Sequence, residues 1–269
     1  MIRRYENSVC DFDADLLRDD EYTFSVVIRS LGDPCTLTVT DGESFLIMYT
    51  VSPYPVWVWT KEGIDEETKK TVWNLCREDF PAEDGFKFNL KYEMAEYFIE
   101  QDKTEDLDLG ISINMLVYDC PTPKAPERPA PGELYEATDS DLETVVDFME
   151  QFHSELNVDV ESRDSYREKA KEILNRQGMF FWKDAGGEFA AMCSFRASGD
   201  KASVNEVYTL PSKRRKGFAE NLVFAITKKI RDLGLMPLLY TDADYAASNA
   251  CYVKIGYRER GSICTVGNR

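Results

Sequence analysis

Asn205-Glu206-Val207-Tyr208-Thr209-Leu210-Pro211-Ser212-Lys213-Arg214-Arg215-Lys216-Gly217-Phe218-Ala219 is the stretch around which the rest of the chain is organised. Val207, Tyr208 and Thr209 favour a strand, and Pro211 cannot continue one. The apolar positions Ala219, Leu222, Val223, Ile226, Ile230 and Leu233 then recur at helical spacing until Gly234 supplies a stop. The four cations Lys213 to Lys216 therefore stand where a helix begins. There the first-turn N–H groups lack partners, the helix dipole is positive, and a glycine lets a ligand approach without a Cβ in the way. In isolation such a run would be an ordinary solvated turn. Here it opposes a formal net charge of -17 and coincides with Gly217, so it reads as a phosphate site.

Neither G-x-x-x-x-G-K-[ST] nor a G-x-G-x-x-G after a strand occurs, so neither a P-loop nor a dinucleotide fold is supported. The segment Arg214-Arg215-Lys216-Gly217-Phe218-Ala219 instead resembles the R/Q-x-x-G-x-G/A pyrophosphate loop of the GNAT N-acetyltransferase superfamily, and Val207 to Pro211 looks like the strand that precedes it. The resemblance makes the anion acetyl-CoA, used as a co-substrate without a metal. A second constellation, Ser248-Asn249-Ala250-Cys251-Tyr252-Val253-Lys254-Ile255-Gly256-Tyr257, resembles the closing motif of that family. There an Asn contacts the pantetheine or phosphate arm and a Tyr stands near the thioester sulfur, which implies those roles for Asn249 and Tyr252. Positions i and i+3 share a helix face, so both can address one ligand.

Acyl transfer to an amine needs a neutral amine, a donor to the developing oxyanion and a proton for the departing thiolate. The resemblance assigns the oxyanion and pantetheine contacts to backbone amides of Val207, Tyr208, Thr209 and Leu210. It gives the pyrophosphate to Arg214, Arg215, Lys216, Gly217, Phe218 and Ala219, mostly through N–H groups, and makes Tyr252 the acid. Glu206 approaches the acceptor site and could be the base through a water, although strand alternation could equally place it outside. His153, the only histidine, lacks a nearby nucleophile pattern and reads as a helix-end residue. Trp57 and Trp59 share a strand face and could form an aromatic substrate wall but read rather as core or interdomain packing; Asp242 and Asp244 read as loop acids or as acceptor-side electrostatics.

The chain has 269 residues, 43% hydrophobic and 12% aromatic, enough for one large domain or two ordinary ones. No apolar stretch approaches a membrane span, and no signal-peptide core follows the first residues, so a cytoplasmic location is expected. The seven cysteines are scattered and never spaced C-x-x-C, which points away from disulfides and zinc. The acidic balance would repel nucleic acid and anionic lipid and would suit a cationic acceptor.

From its start, the chain reads as a helix over 22–31, strands over 35–40, 44–51 and 55–60 in an antiparallel meander about Asp41-Gly42, and a helix over 65–78. A strand over 86–90, a helix over 93–100 and a strand over 110–118 follow. The segment 120–132 holds five prolines and reads as an extended linker. Beyond it come a strand over 133–137, helices over 139–153 (capped by Asp139 or Ser140) and 163–176, and strands over 178–183, 188–197 and 201–209. The long helix, a strand over 236–241, a helix over 246–255 and a strand over 257–266 complete the chain. That order, β, α, α, β, β, β, α, β, α, β, is what the GNAT fold shows.

The expectation is therefore an α/β protein: a mixed, mostly antiparallel GNAT-type sheet flanked by helices, in two tandem lobes joined by a Pro-rich linker. Residues 1–119 would form a degenerate GNAT-like domain without a coenzyme site, since Thr60-Lys61-Glu62-Gly63-Ile64-Asp65 puts acids where phosphate would bind; residues 133–269 would be catalytic. The first lobe could wall the acceptor pocket, form a homodimer or hold the other in shape. The resemblance implies an acetyl-CoA-dependent N-acetyltransferase acting on a primary amine of a small molecule or peptide by direct transfer in a ternary complex. The alternatives are a non-catalytic acyl-CoA-binding module and a tandem aminoacyl-tRNA-dependent transferase, the latter opposed by the net charge.

Overall fold

The computed structural model describes residues 1–103, 108–156 and 160–268, which fall into two compact units. The first comprises Met1–Val117, Thr241–Asp244 and Arg260–Arg269, the second Tyr118–Tyr240 and Tyr245–Glu259. The division is not linear: the final strand belongs to the first unit, and the Pro-rich segment belongs wholly to the second.

In the first unit, strand β1 (Arg3–Ser8) precedes a 3₁₀ turn (Ala14–Asp20) and helix α1 (Ser25–Ser30). Strands β2 (Cys35–Thr40), β3 (Phe45–Tyr49) and β4 (Val56–Thr60) form the antiparallel meander. Its first turn is set by Asp41, whose Oδ1 accepts from the N–H groups of Glu43, Ser44 and Phe45 at 2.9, 2.8 and 3.3 Å. Helix α2 (Glu66–Asp79), β5 (Phe88–Leu90), helix α3 (Tyr92–Asp102) and β6 (Leu109–Asp119) follow. Strand β1 was not expected: Arg3-Arg4-Tyr5-Glu6-Asn7-Ser8 has no apolar alternation because it is an outer strand, paired only through β2. The strand order in this unit is β1-β2-β3-β4-β5-β12-β6, β12 (Arg258–Asn268) being the last strand of the chain. It pairs antiparallel with β5 through Cys264↔Leu90, Thr265↔Asn89 and Val266↔Phe88. Of these, Phe88, Leu90, Cys264 and Val266 join α2 and α3 in one core with Val72, Trp73, Cys76, Met94 and Phe98. Trp57 and Trp59 are buried too; Trp57 meets Phe24 edge-on at 5.9 Å, and Trp59 donates its indole N–H to Asp20 at 2.7 Å.

The second unit begins with the Pro-rich segment, which is docked along its length. Lys124 N donates to the Ile255 carbonyl at 2.7 Å, and the Pro131 carbonyl accepts from Trp182 Nε1 at 3.1 Å. Strand β7 (Glu133–Glu136) follows, then a 3₁₀ turn (Asp139–Asp141) and helix α4 (Leu142–Leu156). The cap is Thr138, not Asp139 or Ser140: the Asp141 carboxylate reaches back to Thr138 N at 2.8 Å, a capping box one residue earlier than expected. Helix α5 (Arg163–Asn175), β8 (Met179–Lys183), β9 (Phe189–Ser198) and β10 (Lys201–Thr209) come next. Helix α6 (Phe218–Asp232), β11 (Met236–Asp242) and helix α7 (Ala246–Ile255) complete the unit, whose strand order is β11-β10-β9-β8-β7. Val145, Val146 and Met149 of α4 pack on Tyr166, Ile173, Phe181, Met192 and Tyr208, each fully buried aliphatic side chain stabilising by about 1.5–3 kcal/mol. Counting the first unit's 3₁₀ turn as a helix, the two halves follow the same element order, so the fold is a mixed α/β architecture used twice.

Candidate active site

Strand β10 carries the geometry on which the site is built. Its parallel register with β11 runs through Lys201↔Met236, Ala202↔Pro237 and Ser203↔Leu238 and then ends, so the two strands part beyond Ser203. On the other side, the ladder with β9 is interrupted between Asn205 and Tyr208, where Glu206 and Val207 stand opposite the single residue Cys193. Glu206 lies at φ +52, a left-handed conformation that a non-glycine residue adopts only where its surroundings impose it. This bulge resolves the alternation that the sequence left open. It brings Glu206 beside Ser194, whose Oγ donates to Glu206 Oε2 at 3.1 Å.

Burial pushes the Glu206 carboxyl above the usual carboxylate range, opposed by the charge of His153, the Ser194 hydrogen bond, and the charges of Arg176 and Lys169. The residue as a whole is half-buried, and its carboxyl is enclosed. His153 is itself buried, stacked on the Tyr166 ring at 5.1 Å between ring centres. His153 lies in the last turn of α4, the helix-end place read for it, whereas Ser194 was not singled out in the sequence. The signal for His153 was its place on the α4 stripe, four residues after Met149 and seven after Val146.

Beyond β10 the chain turns through Pro211–Lys213 into the basic loop. Two of its cations are committed to protein carboxylates. Lys213 Nζ meets Asp184 at 2.6 Å and Glu188 at 2.5 Å, while Arg214 Nη2 lies 2.6 Å from each oxygen of Glu155 and its Nε donates to Thr209 O at 3.0 Å. Tyr208 adds a hydroxyl donated to Glu155 at 3.1 Å. Arg215 and Lys216 are exposed. Arg215 at φ +61 and Gly217 at φ +82 turn the backbone immediately before α6, where Gly217 is the cap and among the described residues no side chain caps the helix. Asn221 fixes the turn from inside, its Nδ2 donating to Gly217 O at 2.9 Å. Phe218 is buried and Ala219 half-buried, so the groups left to meet an anion here would be first-turn amides and the exposed Arg215 and Lys216. That arrangement fits a diphosphate.

On α7, Tyr252 is buried and burial pushes its phenol well above the ordinary range, so it stays protonated at neutral pH. Its ring meets Tyr257 edge-on at 5.8 Å, and the Tyr257 hydroxyl pairs with that of Thr227 on α6 at 2.8 Å. Asn249 lies on the same helix, half-buried. Gly256, at φ +102, ends α7 where a Cβ would stand 2.7 Å from the Thr122 carbonyl.

Residues 184–266, from the β8–β9 turn to the last strand, match the family model described as FR47-like protein. The whole chain is similar in structure to a GCN5-related N-acetyltransferase from Sphaerobacter thermophilus, with a TM-score of 0.73 at 12% identity over 98% of this chain and 94% of that one. In fold, the chain is similar to GNAT-family acetyltransferases. A GNAT-family acetyltransferase from Colwellia psychrerythraea gives a TM-score of 0.61 at 11% identity over 100% of both chains. A tandem GNAT protein from the clavulanic acid biosynthesis pathway gives 0.57 at 10% over 99% of this chain and 98% of that one. A search of curated proteins found no match. The GNAT architecture thus covers both units.

Proposed function

We propose that this chain is an acetyl-CoA-dependent N-acetyltransferase that moves an acyl group to a primary amine of a small molecule or peptide by direct transfer in a ternary complex. The observation that carries the reading is β10, which parts from β11 after Ser203, bulges at Glu206 and runs into a helix whose amino end is left open behind Gly217. Amides of residues 215–219 and the Arg215 and Lys216 side chains would hold the diphosphate. Amides of Val207 to Leu210 would line the pantetheine and face the developing oxyanion. In the transfer, the amine nitrogen bonds to the acyl carbon and the C–S bond breaks. Glu206 takes the amine's proton through a water, and Tyr252 gives its proton to the departing thiolate. Asn249 would contact the arm from α7.

The same reading places no coenzyme in the first unit and expects a cytoplasmic protein that does not act on nucleic acid. Among the described residues no helix is long and apolar enough to cross a membrane. The test is release of free thiol from acetyl-CoA across polyamines, aminoglycosides, amino acids and peptides. Amine-dependent thiol release that Tyr252→Phe abolishes supports transfer; tight acetyl-CoA binding with no thiol release from any amine would leave only a sensing module.

A further inference from the structure

Asn221 is a polar side chain more than nine-tenths buried near the start of α6, beside the fully buried Leu222 and Val223. A side-chain amide so placed needs partners. It has two, both backbone carbonyls: Nδ2 donates to Gly217 O at 2.9 Å and to Arg128 O at 3.4 Å. Gly217 O also accepts from the Asn221 backbone N–H at 3.0 Å, so one residue holds that carbonyl twice. The Gly217–Phe218 peptide is planar and trans, so a carbonyl drawn towards Asn221 sends the Phe218 N–H the opposite way, out of the open helix end.

Arg128 belongs to the Pro-rich segment, which passes directly behind this turn. A Cβ added at Gly217 would lie 3.8 Å from the Cβ of the buried Ala130 and 4.0 Å from Arg128 O. The ends of the segment are tied elsewhere: Cys120 N donates to Pro237 O at 3.0 Å, Lys124 N to Ile255 O at 2.7 Å, and Pro131 O accepts from Trp182 at 3.1 Å. Between those ties Glu127, Arg128 and Pro129 are exposed, and Asn221 joins this stretch to α6.

We propose that Asn221 is a positioning residue for acetyl-CoA: its amide clamps the Pro-rich segment to the Gly217 turn, so the segment shapes the coenzyme site without touching the coenzyme. The proposal rests on the coenzyme reading above. A diphosphate that orders the turn holds Gly217 O, and through Asn221 it holds Arg128 O. By linkage, loosening the segment weakens coenzyme binding by the same factor as the coenzyme steadies the segment.

The full chain is titrated with acetyl-CoA by calorimetry and digested, with and without saturating acetyl-CoA, by a Glu-specific protease, the cut after Glu127 being followed by mass. In the wild type acetyl-CoA is expected to slow that cut. Asn221→Leu, similar in volume but without donors, is expected to raise the dissociation constant about 3- to 10-fold, the effect of one ordinary hydrogen bond. It should also speed the cut in the free protein and abolish its slowing by acetyl-CoA. Asn221→Asp, the same shape with a carboxylate turned on two carbonyls, should do so more strongly. Pro126→Gly with Pro129→Gly loosens the segment and leaves α6 untouched, so it keeps the test open if the Asn221 variants fold poorly; about a 3-fold rise is expected. A contact that is merely structural would lower Tm and leave the effect of acetyl-CoA on the cut in place. An unchanged dissociation constant in Asn221→Leu or in the double proline variant overturns the inference. So does slowing by acetyl-CoA that survives in Asn221→Leu, which would mean that the coenzyme meets the segment directly. A wild type that binds no acetyl-CoA, but whose cut is speeded by Asn221→Leu, would instead overturn the coenzyme reading and leave the clamp standing.

Discussion

Gly217 is the residue at which the cofactor reading is most exposed to test. At φ +82 it sits where an L-residue pays about 1–2 kcal/mol, and the added Cβ of Gly217→Ala has room. It would lie 3.6 Å from Asn221 Nδ2, 3.8 Å from Ala130 Cβ and 4.0 Å from Arg128 O, all ordinary contacts. The methyl group would therefore point into the protein, and the penalty is conformational, not a clash with ligand. That penalty has two outlets. If the Asn221 hydrogen bond holds the turn in place, the strain appears as lost stability, about 2–4 °C in Tm for each kcal/mol in a domain of this size. If the turn relaxes, the amides around residues 215–219 no longer converge, and the acetyl-CoA dissociation constant rises about 5- to 30-fold. Calorimetric titration with acetyl-CoA alongside thermal melts reads both outlets. Binding and Tm both equal to wild type would refute the claim that this backbone conformation builds the site.

Glu206→Gln tests the bulge from the side of stability. Folding raises the Glu206 pKa, so between its unfolded and folded values the native state binds more protons and stability falls as pH rises through that window. The variant keeps an acceptor for Ser194 and is expected to melt higher than wild type at pH 8, the difference vanishing on acidification; equal melts at both pH values would remove the buried charge from the account. Tyr252→Phe is expected to lower kcat by about 10²-fold or more with acetyl-CoA affinity preserved, and stopped-flow or steady-state kinetics decide it. Truncation after Glu259 removes Ile263, Cys264 and Val266, all fully buried, and the β12–β5 ladder. Limited proteolysis should then cut within residues 1–117, and protection equal to the intact chain would show that the first unit folds without its last strand.

What was legible in the sequence were the features written in local chemistry. Asp41-Gly42 and Asp184 to Gly187 announce hairpins because an Asp carboxylate satisfies the turn's own N–H groups, as the bonds to Gly186 at 2.9 Å and Glu188 at 3.2 Å show. The long apolar helix after Gly217 is readable for the same reason, its stripe being unbroken from Leu222 to Ile230. The illegible parts depend on partners distant in sequence. Nothing near Glu206 signals a bulge, since the extra residue is defined only against Cys193 of β9. The commitment of Arg214 to Glu155 needs the end of α4 brought alongside the loop, and made two of the four cations structural. Trp57 and Trp59 were readable as packing, but that Asp20 takes the Trp59 indole N–H was not. The linear boundary at residue 119 also could not anticipate that 260–268 would enter the first sheet between β5 and β6, because an apolar strand does not state which sheet it completes.

The two halves share an element order, yet only the second departs from regular geometry where a ligand would sit. In the first, β4 keeps an unbroken ladder with β3 from Met48↔Trp57 to Phe45↔Thr60, with no bulge to turn a backbone amide outward. The start of α2 is closed as well: Asp65 accepts from Thr68 N at 2.8 Å, and Glu66 and Glu67 follow in the first turn. That helix end supplies its own anion, where α6 presents bare amides behind a left-handed glycine. One acetyl-CoA per chain is the expected calorimetric stoichiometry. Asp65→Gly should leave it at one, because uncapping α2 removes the competing carboxylate without creating a bulge in β4 or a cation beside it. A second equivalent bound by that variant would mean that an open helix end suffices, and that the bulge at Glu206 is not part of what a coenzyme recognises.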